Sequence, residues 1–161
     1  MRARPTLPSL ARSERLLAWA ETSSGAFVGG TRDALHLPDR EPPKLPWEEI
    51  ATADWDADER EFRVLEVGTY GEPQPEHRLT LADPDRLLSL VRERVTASIV
   101  VQRHVPVRGQ RGVRVLGRRA PGGQGSIAWF VEYDDGLDPA DPDVTTVVDD
   151  ALGVARGDVG E

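Results

Sequence analysis

The stretch from Gly30 to Val67 constrains the fold most, because its apolar residues come in short alternating runs broken by turns and prolines. Thr31-Arg32-Asp33-Ala34-Leu35-His36-Leu37 places Asp33 in a tight connection, after which Leu35 and Leu37 alternate with His36 on the other face. Pro38 to Pro46 holds four prolines, which cannot donate to a ladder, and so reads as an irregular loop. Leu45-Pro46-Trp47-Glu48-Glu49-Ile50 returns the chain to the core, and Phe62-Arg63-Val64-Leu65 supplies a further strand. Short strands joined in this way are how a small β-barrel begins. No chemical motif lies in the stretch.

The flanking segments extend the pattern. Residues 1–13, with Pro5 and Pro8, read as a flexible N-terminal arm. Leu16 to Glu21 is a strand, Thr22-Ser23-Ser24-Gly25 turns into a second strand ending near Thr31, and Ile50 to Trp55 alternates in strand fashion. In the strand Phe62 to Val67, Phe62 and Val64 share one face and Leu65 and Val67 the other, so a β-bulge near Val64 is expected. Gly68 to Glu76 reads as a loop, and Leu79 and Leu81 resume the strand pattern, making six strands. A helix then starts with Asp83 as N-cap and Pro84 in the first turn. Leu87, Leu88, Val91, Val95 and Ile99 form its apolar stripe, with Arg94 at the rim, where it must reach solvent or pair with an acid. Val113 to Arg119 and Ile127 to Tyr133 form a later hairpin around the glycine-rich turn Gly122–Gly125. Asp138-Pro139 and Asp141-Pro142 each offer a start for a last helix whose inner face is Val144, Val147, Val148, Ala151, Leu152 and Ala155, with Gly157 as its stop.

Charge is segregated along the chain. The net charge of -8 comprises +2 over residues 1–44, -8 over 45–76, +7 over 77–131 and -9 over 132–161. Such blocks either present a cationic face or neutralise one another on folding, and the second outcome is expected. The 161 residues suffice for one domain with its own core. With no cysteine, disulfides, thiolate zinc sites and cysteine nucleophiles are excluded. Arginines interrupt the first fifteen residues, no apolar run there is long enough for a signal-peptide core, and none approaches a membrane span. A cytoplasmic location is expected. One lysine against nineteen arginines points to a G+C-rich bacterial genome.

On these elements the chain from residue 15 to about 101 resembles the pleckstrin-homology-like (PH/GRAM-like) barrels of bacterial proteins. The resemblance rests on the Thr31 to Leu35 hairpin end, on Pro46-Trp47 leading to Ile50, and on a helix from Asp83 to Val101 after the last strand. It implies an α+β fold, a small barrel of antiparallel sheets capped by a helix, to which a C-terminal hairpin and helix are added. The implied organisation is a flexible arm over 1–13, the barrel and its capping helix over 14–104, and a C-terminal hairpin and acidic helix over 105–161 packed on the same domain. Phosphoinositide-binding members place bases in the first hairpin, whereas Ala20-Glu21-Thr22-Ser23-Ser24-Gly25 has an acid and none. The family also has seven strands before its helix, one more than is counted here.

Candidate chemistry is sparse. Asp54, Asp56 and Asp58 alternate, but a calcium loop counted from Asp54 needs glycine where Glu59 stands and glutamate where Leu65 stands. Asp134, Asp135, Asp138, Asp141 and Asp143 are accounted for by helix capping. His36, His77 and His104 share no ligand spacing and read as surface residues, and Glu48 and Glu49, adjacent in a strand, point to opposite faces. No metal site, cofactor or catalytic set is assigned, and an enzyme is not expected. The remaining candidate is the basic tract from Arg92 and Arg94 through Arg103, Arg108, Arg111, Arg114, Arg118 and Arg119, in which the six arginines from Arg103 on are candidate binding residues. Nucleic acid or an anionic surface would need them to converge unpaired on one face. The expected function is a non-catalytic module for a protein or peptide partner, or for self-association, with binding of nucleic acid or an anionic surface as the alternative.

Overall fold

The computed structural model describes residues 4–68 and 72–160. Part of the expected loop Gly68–Glu76 therefore lies outside the described residues, as do the first three residues of the arm. The fold is α+β, with a seven-stranded antiparallel sheet, a three-stranded antiparallel sheet and two helices. The chain divides into two compact units, Met1–Ser98 with Ala120–Gly122 and Ile99–Arg119 with Gly123–Glu161. The division falls after Ser98, earlier in the chain than the expected boundary at 104/105.

The first unit runs β1 (Ala18–Thr22), β2 (Phe27–Gly30), β3 (Ala34–His36), β4 (Lys44–Pro46), a 3-10 turn (Trp47–Glu49), β5 (Ile50–Asp56), β6 (Glu61–Glu66), β7 (Glu76–Ala82) and α1 (Asp85–Ala97). The sheet order is β4-β3-β2-β1-β7-β6-β5. Among the described residues seven strands thus precede the helix, and the one missing from the sequence reading is β4. Its prolines kept it in the expected loop, yet Pro46 stands at the end of an outer strand, where the lost donor is tolerated. Trp47 is fully buried, and its indole Nε1 donates to Thr31 O at 3.0 Å. Thr31 Oγ1 in turn accepts from Ala34 N at 3.2 Å, tightening the β2–β3 connection. Removing an indole from water contributes about 4–6 kcal/mol before ordering entropy is subtracted, which makes Trp47 the centre of this core.

The remaining differences have local causes. The bulge lies on β5, where the register shifts between Ile50 and Thr52, and not near Val64. Strand β6 keeps its phase and sends Phe62, Val64 and Glu66 inward while Leu65 is half-buried. Asp83 takes a left-handed conformation (φ 47°), so the cap position falls to Pro84 and α1 starts at Asp85. The helix ends before Ser98, whose hydroxyl donates to Val95 O at 2.6 Å, and Ile99 opens a strand instead of continuing the stripe. The β-branched run Ile99-Val100-Val101 suits a pleated strand better than a helix. Leu87 and Val91 are buried against the sheet, while Leu88 and Val95 are partly so. A Cβ at Gly30 would lie 2.5 Å from Leu90 Cδ2, so glycine on β2 lets α1 approach closely. The arm is anchored: Leu7 is buried, and Ser9 is hydrogen-bonded to His36.

The second unit comprises β8 (Ile99–Arg108), β9 (Arg111–Arg118), β10 (Ala128–Tyr133) and α2 (Pro142–Asp158), with sheet order β10-β9-β8. Strand β8 replaces the expected helix tail and basic connection. The β9–β10 hairpin forms as expected. Asp141 caps α2, its Oδ1 accepting from Asp143 N at 2.9 Å, with Pro142 in the first turn. Val144, Val148, Ala151 and Ala155 are buried against Val113 and Val115, while Val147 and Leu152 pack at the margin. Helix α2 runs past Gly157 to Asp158, and the left-handed residue after it is Gly160 (φ 81°).

Candidate functional site

In an antiparallel pair, directly opposed residues share a face. Arg103 opposes Val115, whose side packs on α2, whereas His104 opposes Arg114 on the reverse face. Alternation therefore splits the basic tract between two faces. On the helix side, Arg103 Nη1 lies 3.4 Å from Asp158 Oδ2. Arg108 Nη2 lies 2.7 Å from Asp141 Oδ2 and 3.7 Å from Asp143 Oδ2. On the reverse face, Arg114 Nη1 lies 3.5 Å from Glu132 Oε2, and His104 Nε2 lies 3.2 Å from Asp134 Oδ2. Arg118 is buried, Arg119 is half-buried and Arg111 is exposed. The structure thus brings Arg103, Arg108 and Arg114 to acids of β10 and α2 and does not gather the six candidates on one face. Asp134 is held below the usual carboxylate range by the Gly112 N–H and then by His104, and Asp141 by the Asp143 N–H and then by Arg108. Arg94 donates from Nη2 to Glu93 Oε1 at 2.8 Å.

Two polar clusters of the first unit were not foreseen. In one, His36 is buried, not a surface residue, and its Nδ1 lies 2.7 Å from Ser9 Oγ. Its Nε2 lies 3.2 Å from Glu14 Oε2. Glu14 also accepts from Ala11 N (3.1 Å) and Thr31 Oγ1 (3.2 Å), and Lys44 Nζ is 3.3 Å from Oε1. Burial pushes the Glu14 carboxyl up, but the bonds from Ala11, His36 and Lys44 together bring it below its ordinary value. The order hydroxyl, imidazole, carboxylate is that of an activated serine. Here, however, the imidazole is 1% exposed and the carboxylate is saturated with donors, so the cluster clamps the arm to β3 and β4.

In the other, Arg40 grips Glu66 through two bonds, Nε to Oε2 at 2.9 Å and Nη2 to Oε1 at 3.1 Å, and His77 Nε2 contacts the same carboxylate. Arg40 holds Glu66 below the usual range against its burial. Glu48 and Glu49 sit in the 3-10 turn, not in a strand, and burial followed by the charge of Glu48 raises Glu49. Asp56 Oδ1 accepts from Asp58 N and Glu59 N at 3.0 and 3.1 Å, a self-capped turn. Among the described residues no group of three or more His, Cys, Asp or Glu side chains is placed to hold a metal ion.

Among the described residues, a shallow groove with apolar walls lies between the start of β1 and α1, with a volume of about 420 Å³. Leu17, Ala18 and Leu90 form its apolar part, and Asp85, Arg86 and Glu93 charge its rim. Leu17 is 46% exposed between the buried Leu16 and Ala18. Strand alternation alone places Leu17 outward, but only the docking of α1 gives it a second wall. No helix among the described residues is long and apolar enough to cross a membrane. No family model, curated protein or solved structure matches this chain.

Proposed function

We propose that the first unit is a PH-like barrel module without catalytic activity, which binds a protein or peptide partner through the groove between β1 and α1. Support for the fold comes from an antiparallel order in which β7 joins β1, β4 and β5 are the ends, and a helix follows and packs on β1, β2 and β5. The observation that carries the function is Leu17, exposed on the groove wall beside Leu90 and rimmed by both signs of charge. An apolar anchor with a polar rim is how short segments are captured by preformed grooves. The ion pairs of Arg103, Arg108 and Arg114 give three of the six candidate arginines acidic partners, and the six do not share one face, which makes nucleic acid or an anionic surface the lesser reading.

A photo-crosslinking residue placed at Leu17 tests this in an extract of the source organism. A discrete adduct is expected that is absent with the same residue at the exposed Thr52 and is lost on Leu90→Asp with the fold retained. Equal labelling from both positions, or none from Leu17, would sink the groove as a binding site.

A further inference from the structure

One cross-strand row of the first sheet lies under the N-terminal arm. Trp19 on β1 opposes Gly29 on β2, Gly29 opposes His36 on β3, and His36 opposes Lys44 on β4, so the four share a face. Gly30, the next residue of β2, turns the other way, toward Leu90 of α1 and Trp47. The row is therefore on the side away from α1, the side that an antiparallel sheet commonly leaves to water.

Three points of the row each take a side chain of the arm. Gly29 leaves a dent, since a Cβ there would stand 2.5 Å from Cδ1 of Leu7 and of Leu16. His36, 1% exposed, turns Nδ1 to Ser9 Oγ and Nε2 to Glu14 Oε2. Lys44 Nζ reaches the other oxygen of Glu14 at 3.3 Å. A carboxylate only accepts, so Nε2 carries a proton, and a hydroxyl suits Nδ1 in either state of the ring. The sheet thus supplies a dent, an imidazole and an ammonium. Together they read an apolar side chain, a hydroxyl two residues on and a carboxylate seven residues on, as in Leu7, Ser9 and Glu14.

The main chain of the arm stays out of the sheet. Residues 4–15 belong to no strand, and the bonds among their main-chain groups close two local turns, Leu10 N to Leu7 O at 3.1 Å and Glu14 N to Ala11 O at 3.0 Å. Among the described residues, main-chain bonding to the sheet begins with Leu17 N donating to Gly30 O at 2.8 Å. A segment fixed by a few side chains opens at lower cost than the strands beneath it.

We infer that this face is a peptide-binding site and that residues 7–14 are its intramolecular ligand, a strap that a peptide of the same pattern displaces. Strap and competitor exclude each other because His36 has two ring nitrogens and the strap occupies both. Joined directly to β1, the strap competes at an effective concentration in the mM range, which keeps the site closed to weak ligands.

The probe is a fluorescent peptide of residues 4–15, followed by anisotropy against the full chain and against a full chain whose own arm carries Leu7→Asp and Glu14→Gln. The substituted chain is expected to fold and to bind the peptide at least about tenfold more tightly than the unmodified chain, in which the strap competes. A peptide bearing the same two substitutions should bind neither. The inference is overturned if the folded, substituted chain does not bind the first peptide up to about 1 mM, if both chains bind it equally, or if both peptides bind alike. Loss of the fold in the substituted chain also overturns it, because a segment that the unit needs in order to fold is no displaceable ligand. No residue of the β1–α1 groove enters the readout, so this inference and the proposed function fail separately.

Discussion

Replacing Glu66 with glutamine probes whether a buried charge network, and not apolar packing alone, holds the proline-rich loop onto the sheet. The substitution keeps the shape of a side chain about 10% exposed, but removes the charge that Arg40 grips through two bonds and that His77 contacts. Charge-assisted bonds contribute roughly 1.5–3 kcal/mol, and a partner left partly buried adds a penalty. Arg40 retains bonds to Pro42 O (2.6 Å) and Lys44 O (2.9 Å) and some solvent, so the expected loss is about 2 kcal/mol at neutral pH. That corresponds to roughly 10 °C in the midpoint of a unit of about 100 residues. The Glu66 carboxyl is depressed in the folded state, so its contribution is fully present above its unfolded value of 4.5 and fades as pH falls through the folded value. Glutamine mimics the protonated acid. Urea unfolding of both proteins should therefore show the 2 kcal/mol gap at pH 7 closing at strongly acid pH. A gap below about 0.5 kcal/mol at pH 7, or one that does not change with pH, would refute the charge argument.

Two further outcomes are expected. Leu87→Ala leaves a cavity under α1 at a fully buried position and should cost about 2–5 kcal/mol in urea unfolding; a surface-like cost below about 1 kcal/mol would mean that α1 does not seal the first core. Asp141→Ala removes the acceptor for Asp143 N and the partner of Arg108, so amide exchange in the first turn of α2 should quicken while the middle of the helix is unchanged, and uniform protection would show that the cap is idle.

Elements defined by local chemistry were legible in the chain. The Thr22–Gly25 turn, the Trp47 anchor, the stripe Leu87, Leu88, Val91 and Val95, and the Asp141-Pro142 start all appear where the residues place them. Misreadings arose where a residue's role depends on a distant partner. Pro46 looked like a loop residue until β3 was beside it, and Glu66 broke the apolar phase of β6 until Arg40 and His77 neutralised it. His36 reads as a surface residue in the sequence because neither Ser9 nor Glu14, 27 and 22 residues away, announces itself as its partner. The candidate arginines were legible as a tract but not as a site, since pairing with acids up to 55 residues distant decides their charge balance.

What the order of residues determined by itself was the α+β class and most element positions, because turn chemistry, capping and side-chain period act over a few neighbours. Tertiary structure alone decided the strand order β4-β3-β2-β1-β7-β6-β5, the Leu17 groove and the pairing of the arginines. Each depends on surfaces brought together from far apart in the chain, where burial and charge compensation, and no local preference, set the outcome.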